Sequence, residues 1–193
     1  MIGAIILAAG SSRRFGDDKR KARLANGKMV VEQTLNTVLP HFDAVILTLR
    51  SGDIEFQKTL DADYTDQALT IFRAQDSALG MGHSLANTMS QVTGWDGVFV
   101  FLADMPNISG TTVESLAEAL QADRIVIPLH DGQRGHPVGF GKHFFDQLSS
   151  LEGDLGAKAV LNNNADEVRE IDVTDPGVLQ DIDQPADLQR SGS

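Results

Sequence analysis

The chain has 193 residues, 41% hydrophobic and 22% charged, a globular composition that excludes a disordered or collagen-like protein and, as a prior on length, points to one domain over 1–193. Its 27 Asp and Glu outweigh 16 Lys and Arg, leaving a net charge of −11, which disfavours nucleic acid and anionic membranes as partners. Without a cysteine there is no disulfide framework, thiolate metal site or cysteine nucleophile.

The apolar opening, residues 2–9, is too short to span a membrane and has no basic segment before it. It reads as a buried strand rather than a signal peptide, and the cytoplasm is the expected location. In chain order the hydrophobic pattern predicts a strand at 4–7, a helix at 30–39, a strand at 44–49, a helix at 54–60, a strand at 70–72, a helix at 82–91, a strand at 98–102, a helix at 110–120, a strand at 125–128, helices at 142–148 and 157–162, and a strand at 168–171. A further strand is expected just after Pro137. Runs such as IILA, VILTL and VFVFL are apolar throughout, as strands are when helices cover both faces of the sheet. The expected fold is therefore α/β: a Rossmann-like, three-layer, doubly wound and mainly parallel sheet, with its ligand beyond the carboxyl ends of the strands.

The loop after the first strand reads LAAGSSRRFGDDKRKARL. Gly10 and Gly16 permit close or left-handed backbone, and Ser11 and Ser12 add hydroxyls and amides. Residues 11–28 hold Arg13, Arg14, Lys19, Arg20, Lys21, Arg23 and Lys28, seven of the 16 basic residues of an acidic chain. A solvated basic loop is the plain alternative, but the position after a buried strand favours phosphate binding. Asp17 and Asp18 stand where a Walker loop needs Lys-Ser/Thr, and no G-x-G-x-x-G occurs there, which argues against ATPase and dehydrogenase readings.

Leu7 to Gly16 followed by Lys19 resembles the LAAG-x-S-x-R-(M/F)-G-x-x-K signature of nucleotidyltransferases, and of molybdenum cofactor cytidylyltransferases in particular. The resemblance continues in order through GMGHSL (80–85), LADMP (102–106), RGHPV (134–138), GDLGA (153–157) and DIDQP (181–185), covering nearly the whole chain.

The resemblance implies a Mg²⁺-dependent enzyme that joins CMP from CTP to the phosphate of molybdopterin or its molybdenum form and releases pyrophosphate. Arg14, Lys19 and Asp104 are its implied catalytic residues. Leu7, Ala8, Ala9, Gly10, Ser11 and Ser12, with Gly80, Gly82 and Ser84, are implied to bind the nucleotide. Arg134, Gly135, His136, Gly153 and Asp154 are implied to bind the acceptor. Mg²⁺ falls to Asp104, which ends an apolar strand, and to Asp183, with Asp181 as the other candidate. The plain alternatives are a turn-forming Asp104, a capping Asp183, Ser84 as an ordinary first-turn residue and His136 as a turn histidine before Pro137. Arg20 and Lys21 lie beyond the motif, toward the acceptor or solvent, and Trp95 is read as packing. Ala8-Ala9 before Gly10 resembles the cytidylyl branch, so CTP is expected over GTP. The runners-up are a guanylyl- or sugar-phosphate nucleotidyltransferase, and a degenerate nucleotide-binding module that delivers cofactor to a molybdenum enzyme as partner.

Overall fold

The computed structural model describes residues 1–10, 15–16, 18–65 and 68–189. Strands β1 (Ile2–Leu7), β2 (Val45–Arg50), β3 (Leu69–Ala74), β4 (Gly97–Leu102), β5 (Ile125–His130), β6 (Gln133–Arg134), β7 (Val138–Gly141) and β8 (Val168–Asp172) make one eight-stranded sheet. The order is β3-β2-β1-β4-β7-β5-β6, with β8 also on β5. Pairings among β3, β2, β1 and β4 and between β5 and β8 are parallel. The exception is β7, which runs antiparallel between β4 and β5, while β6 pairs antiparallel with the end of β5. The α/β, mainly parallel sheet expected from the pattern is the fold observed.

Alternation along the strands sends neighbouring residues to opposite faces. Ala4, Ile6, Leu47, Leu49, Phe99 and Phe101 face one apolar layer, shared with Val31 and Leu35 of α1 (Val30–Val38), Phe56 and Leu60 of α2 (Ile54–Asp63), and Val113 and Leu116 of α4 (Gly110–Ala119). Ile5, Ile46, Val98, Val100 and Ile127 face the other, with Leu85 and Met89 of α3 (Met81–Met89), Leu148 of α5 (Phe145–Ser149) and Val160 of α6 (Lys158–Asn163). Trp95 belongs to this second layer and lies so close over Gly3 that a Cβ there would overlap its ring. It is a packing residue. Among the described residues no helix is long and apolar enough to cross a membrane.

The chain leaves β1 toward β2 on one side, whereas β4 lies on the other side of β1. This reversal opens a crevice at the carboxyl ends of β1 and β4. Residues 8–10 and Ala103–Asp104 therefore enter the same space.

Candidate active site at the β1–β4 switch point

A cleft of about 830 Å³ opens there. Leu7, Ala8, Ala9 and Gly10 form its floor, Gly80, Met81 and Ser84 one side, and Lys19, Asp104 and Asp183 another. Ser11, Ser12 and Arg14, expected to bind phosphate, lie outside the described residues.

Asp104 is held through its backbone neighbours. Ala103 N–H donates to the Leu7 carbonyl at 3.1 Å, tying β4 to β1. The buried Thr34 hydroxyl of α1 donates to the Ala103 carbonyl at 3.0 Å, and Ile182 N–H donates to the Asp104 carbonyl at 2.8 Å. Ile182 is buried beside Leu24 and Val30, so apolar burial anchors the returning chain that carries Asp181 and Asp183. Asp187 accepts the N–H groups of Asp183 and Gln184 at 3.2 and 2.8 Å. The turn at Pro185 is thus capped by Asp187, and the Asp183 carboxylate lies instead with Lys19.

The Lys19 ammonium stands 2.5 Å from Asp104 and 3.2 Å from Asp183. Carboxylate oxygens of Asp104, Asp181 and Asp183 lie within 4.8 Å of one another. Burial, and then the charges of Asp183 and Asp104, push the Asp181 carboxyl above its ordinary range. Burial works to lower Lys19, but Asp104 and Asp183 outweigh it and hold the ammonium charged to a higher pH than usual. Three hard oxygen donors crowded against one lysine suit a divalent cation such as Mg²⁺ or Mn²⁺, which takes oxygen ligands and relieves this repulsion.

Arg20 corrects the sequence reading. It is not turned to solvent but lies 3% exposed at the cleft wall, its guanidinium forked onto Asp18 at 2.7 and 2.6 Å and onto Asp53 at 2.5 and 3.1 Å. Its Nη1 also donates to the Ala8 carbonyl at 2.7 Å, and its plane lies 5.1 Å from the Phe56 ring centre. One buried cation therefore locks the turn after β1 to the loop after β2. The neighbouring Asp18 was a local signal, whereas Asp53, 33 residues away, was not. Although burial opposes it, the Arg20 charge holds both carboxyls below their usual value of 3.8. Groups depressed in the folded state stabilise it fully above about pH 4, and that stability is lost as pH falls through the lowered values. Thermal stability is expected to drop below about pH 4, and Arg20→Met should flatten that acid limb.

The end of β2 and the loop after it were passed over in the sequence, yet Arg50, Ser51, Gly52 and Asp53 line the cleft. Arg50 donates through Nε at 3.1 Å, and also through Nη2, to the Gly10 carbonyl. The available signal was position alone, at the carboxyl end of a parallel strand.

On the α3 side, Ser84 is buried and its hydroxyl donates to the Gly80 carbonyl at 3.1 Å, closing the first helical turn. Gly80 has φ +127°, and a Cβ on it would overlap the Gly153 carbonyl and stand 2.5 Å from Asp154 Oδ1. Gly80→Ala is expected to cost about 1–3 kcal/mol in denaturant unfolding. Gly27→Ala, at φ +83° with open space around it, should cost less, the difference isolating the steric term.

The residues expected to bind the acceptor do not form one group. Arg134 is exposed and its Nε binds Glu170 at 2.6 Å, so a surface carboxylate on β8 draws it away from the cleft. Gly135 is a packing glycine, since a Cβ there would overlap the Val178 carbonyl. His136 N–H donates to that same carbonyl at 2.9 Å, and its buried Nδ1 has no partner among the described residues. Burial pushes its imidazole below the usual value against the pull of Asp104. Gly153 and Asp154 sit elsewhere, against Gly80 and Gly82 on the nucleotide side expected from the sequence. The glycines permit that contact.

The chain is similar to proteins of known structure and to curated sequences. The solved structure of Rv0371c from Mycobacterium tuberculosis H37Rv is similar over 98% of this chain and 97% of its own, with TM-score 0.82 and 26% identity. A manganese complex of Rv0371c superposes with TM-score 0.71 and 23% identity over 89% of this chain and 87% of that one. The purine catabolism protein PucB of Bacillus subtilis is 28% identical over 94% of this chain and 91% of its own length. A probable molybdenum cofactor guanylyltransferase of Natranaerobius thermophilus is 28% identical over 68% of this chain and 62% of that protein. The sequence profile of the MobA-like NTP transferase domain matches residues 4–168, and with the nucleotidyltransferase fold and the switch-point cleft this places the chain in the MobA-like NTP transferase family of nucleotidyltransferases.

Proposed function

We propose that this chain is a single-domain, Mg²⁺-dependent cytidylyltransferase that passes CMP from CTP to the phosphate of a molybdopterin-type acceptor. The observation that carries this reading is the convergence of Lys19, Asp104, Asp181 and Asp183 at the carboxyl ends of β1 and β4. An acceptor phosphate oxygen attacks the α-phosphorus, the bond from that phosphorus to the β-phosphate oxygen breaks, and pyrophosphate leaves. Asp104 and Asp183 would hold Mg²⁺, which when bound supplies positive charge to the phosphate oxygens. The amides after β1 and the Arg14 guanidinium bind the β- and γ-phosphates, and Lys19 turns from its carboxylates to the α-phosphate as charge gathers there. We assign the acceptor to the side of His136, whose buried Nδ1 has no partner among the described residues. A phosphate monoester is already largely dianionic near neutral pH, so it needs alignment rather than a general base.

The preference for CTP rests on the Ala8-Ala9 pair before Gly10, which resembles the cytidylyl branch of the family and lines the cleft. GTP is the second reading, favoured by the name of the guanylyltransferase relative. Thermal unfolding with CTP, GTP, ATP and UTP, with and without Mg²⁺, decides between them. A nucleotide at about 100 times its Kd should stabilise the fold by about 2.7 kcal/mol. A Mg²⁺-dependent rise with CTP alone is expected, a rise with GTP alone moves the enzyme to the guanylyl reading, and no rise with any nucleotide rejects both.

A further inference from the structure

The nucleotide reading gives no role to His83 of GMGHSL. It lies in the first turn of α3, and its Nδ1 accepts the Gly153 N–H at 3.0 Å. The carbonyl of the same glycine accepts the Gly82 N–H at 2.8 Å. Gly153 is therefore gripped at both of its backbone polar groups by consecutive residues of one helical turn. An accepting Nδ1 requires the neutral tautomer with its proton on Nε2.

The grip decides where the next residue goes. Gly153 has φ +67° and Gly156 φ +54°, so the segment turns sharply at both, and Asp154 between them lines the cleft beside Gly80. The approach is close, since a Cβ on Gly82 would stand 2.6 Å from the Glu152 carbonyl. Little apolar burial helps at the tip, where Leu155 is 67% exposed. Two polar contacts to α3 carry the task that core packing performs elsewhere in the fold.

We infer that His83 is a positioning residue, which fixes Gly153 on the first turn of α3 and thereby sets the Asp154 carboxylate in the wall of the nucleotide cleft. This deepens the proposed nucleotide-binding function and rests on it. His83→Leu removes the acceptor, whereas His83→Asn keeps an acceptor oxygen where Nδ1 stands. Two measurements on the intact protein test the inference: hydrogen exchange at the Gly153 amide, and the Kd for CTP or GTP with Mg²⁺, whichever stabilises the wild type. His83→Leu should speed exchange and raise Kd, each by about tenfold, the worth of one hydrogen bond of ordinary strength. His83→Asn should restore both. Because His83 acts through Asp154, adding His83→Leu to Asp154→Ala should raise Kd no further. Unchanged exchange in His83→Leu, additive effects on Kd, or His83→Asn behaving as His83→Leu does would each overturn the inference. So would faster exchange with an unchanged Kd, because the contact would then not serve the cleft. If the wild type binds neither nucleotide, the proposed function fails and the cleft role of His83 fails with it, while Gly153 exchange still reports whether the grip exists.

Discussion

Asp104→Asn is expected to abolish nucleotidyl transfer while the fold survives. The side chain is isosteric, and the interactions that place residue 104 are made by backbone: the Ala103 N–H on Leu7, the Thr34 hydroxyl on Ala103 and the Ile182 N–H on the Asp104 carbonyl. None depends on the carboxylate. Losing one charge also relieves the crowding that pushes Asp181 upward, which offsets part of the lost pair with Lys19. The melting temperature should therefore move by no more than about 3 °C, corresponding to about 1 kcal/mol. Turnover is another matter, because under the proposed function the carboxylate would hold the cation that neutralises the phosphates. Several kcal/mol of transition-state stabilisation vanish, a loss of about a thousandfold or more in kcat. Pyrophosphate release with saturating nucleotide and acceptor measures it, and calorimetric titration with Mn²⁺ should show weakened metal binding in the same variant. Undiminished metal-dependent turnover would remove Asp104 from the site.

Arg20→Met should have the largest effect on stability. The methionine fills much of the space along the Arg20 stem and keeps apolar contact with Phe56, but Asp18 and Asp53 lose the cation that both depend on. Their side chains are only 19% and 14% exposed, so water cannot fully replace the guanidinium. Removing one partner of a buried ion network costs about 3 kcal/mol or more, which in a chain of this size lowers the melting temperature by about 10 °C. Arg20→Lys should recover little, since a lysine cannot make two forks and also reach the Ala8 carbonyl. Differential scanning calorimetry gives the stability, and nucleotide Kd gives the second consequence. The turn at residues 8–10 keeps the Arg50 bond to Gly10 but loses the Arg20 link from Ala8 to Asp53, so binding should weaken even where the protein stays folded. Melting temperatures within about 2 °C of wild type would show that Arg20 is not the keystone of that junction.

The legible parts of this protein were those governed by local rules. Apolar runs separated by amphipathic stretches announced a sheet covered on both faces, and all six strands given bounds from the pattern are present. Hydrophobic periodicity reports burial one residue at a time and needs no knowledge of the partner. The position of Asp104 was legible for the same reason, since an acid that ends a strand buried on both faces must emerge at the rim. The hairpin joining β5 to β6 had its own signal in Asp131-Gly132, both with positive φ, a turn suited to a two-residue connection. The antiparallel seat of β7 between β4 and β5 had none, because which strand a run pairs with depends on the whole sheet.

Charge partners were hidden for a related reason. Arg13, Arg14, Lys19, Arg20 and Lys21 look alike in sequence, yet Lys19 bridges to Asp183 across 164 positions while Arg20 turns inward to Asp53. A long cationic side chain can serve solvent, substrate or a buried acid, and only the three-dimensional position of the acids selects among these. Arg134 makes the point from the other side, drawn to Glu170 rather than to the cleft. By itself the sequence determined an α/β nucleotidyltransferase fold and the loop ends where its chemistry belongs, because burial and backbone conformation are local properties. Tertiary structure alone decided that Arg20 is buried between Asp18 and Asp53, that Gly153 and Asp154 pack against Gly80 and Gly82, and that His83 accepts the Gly153 N–H, because electrostatic and hydrogen-bond pairing joins residues that chain order keeps apart.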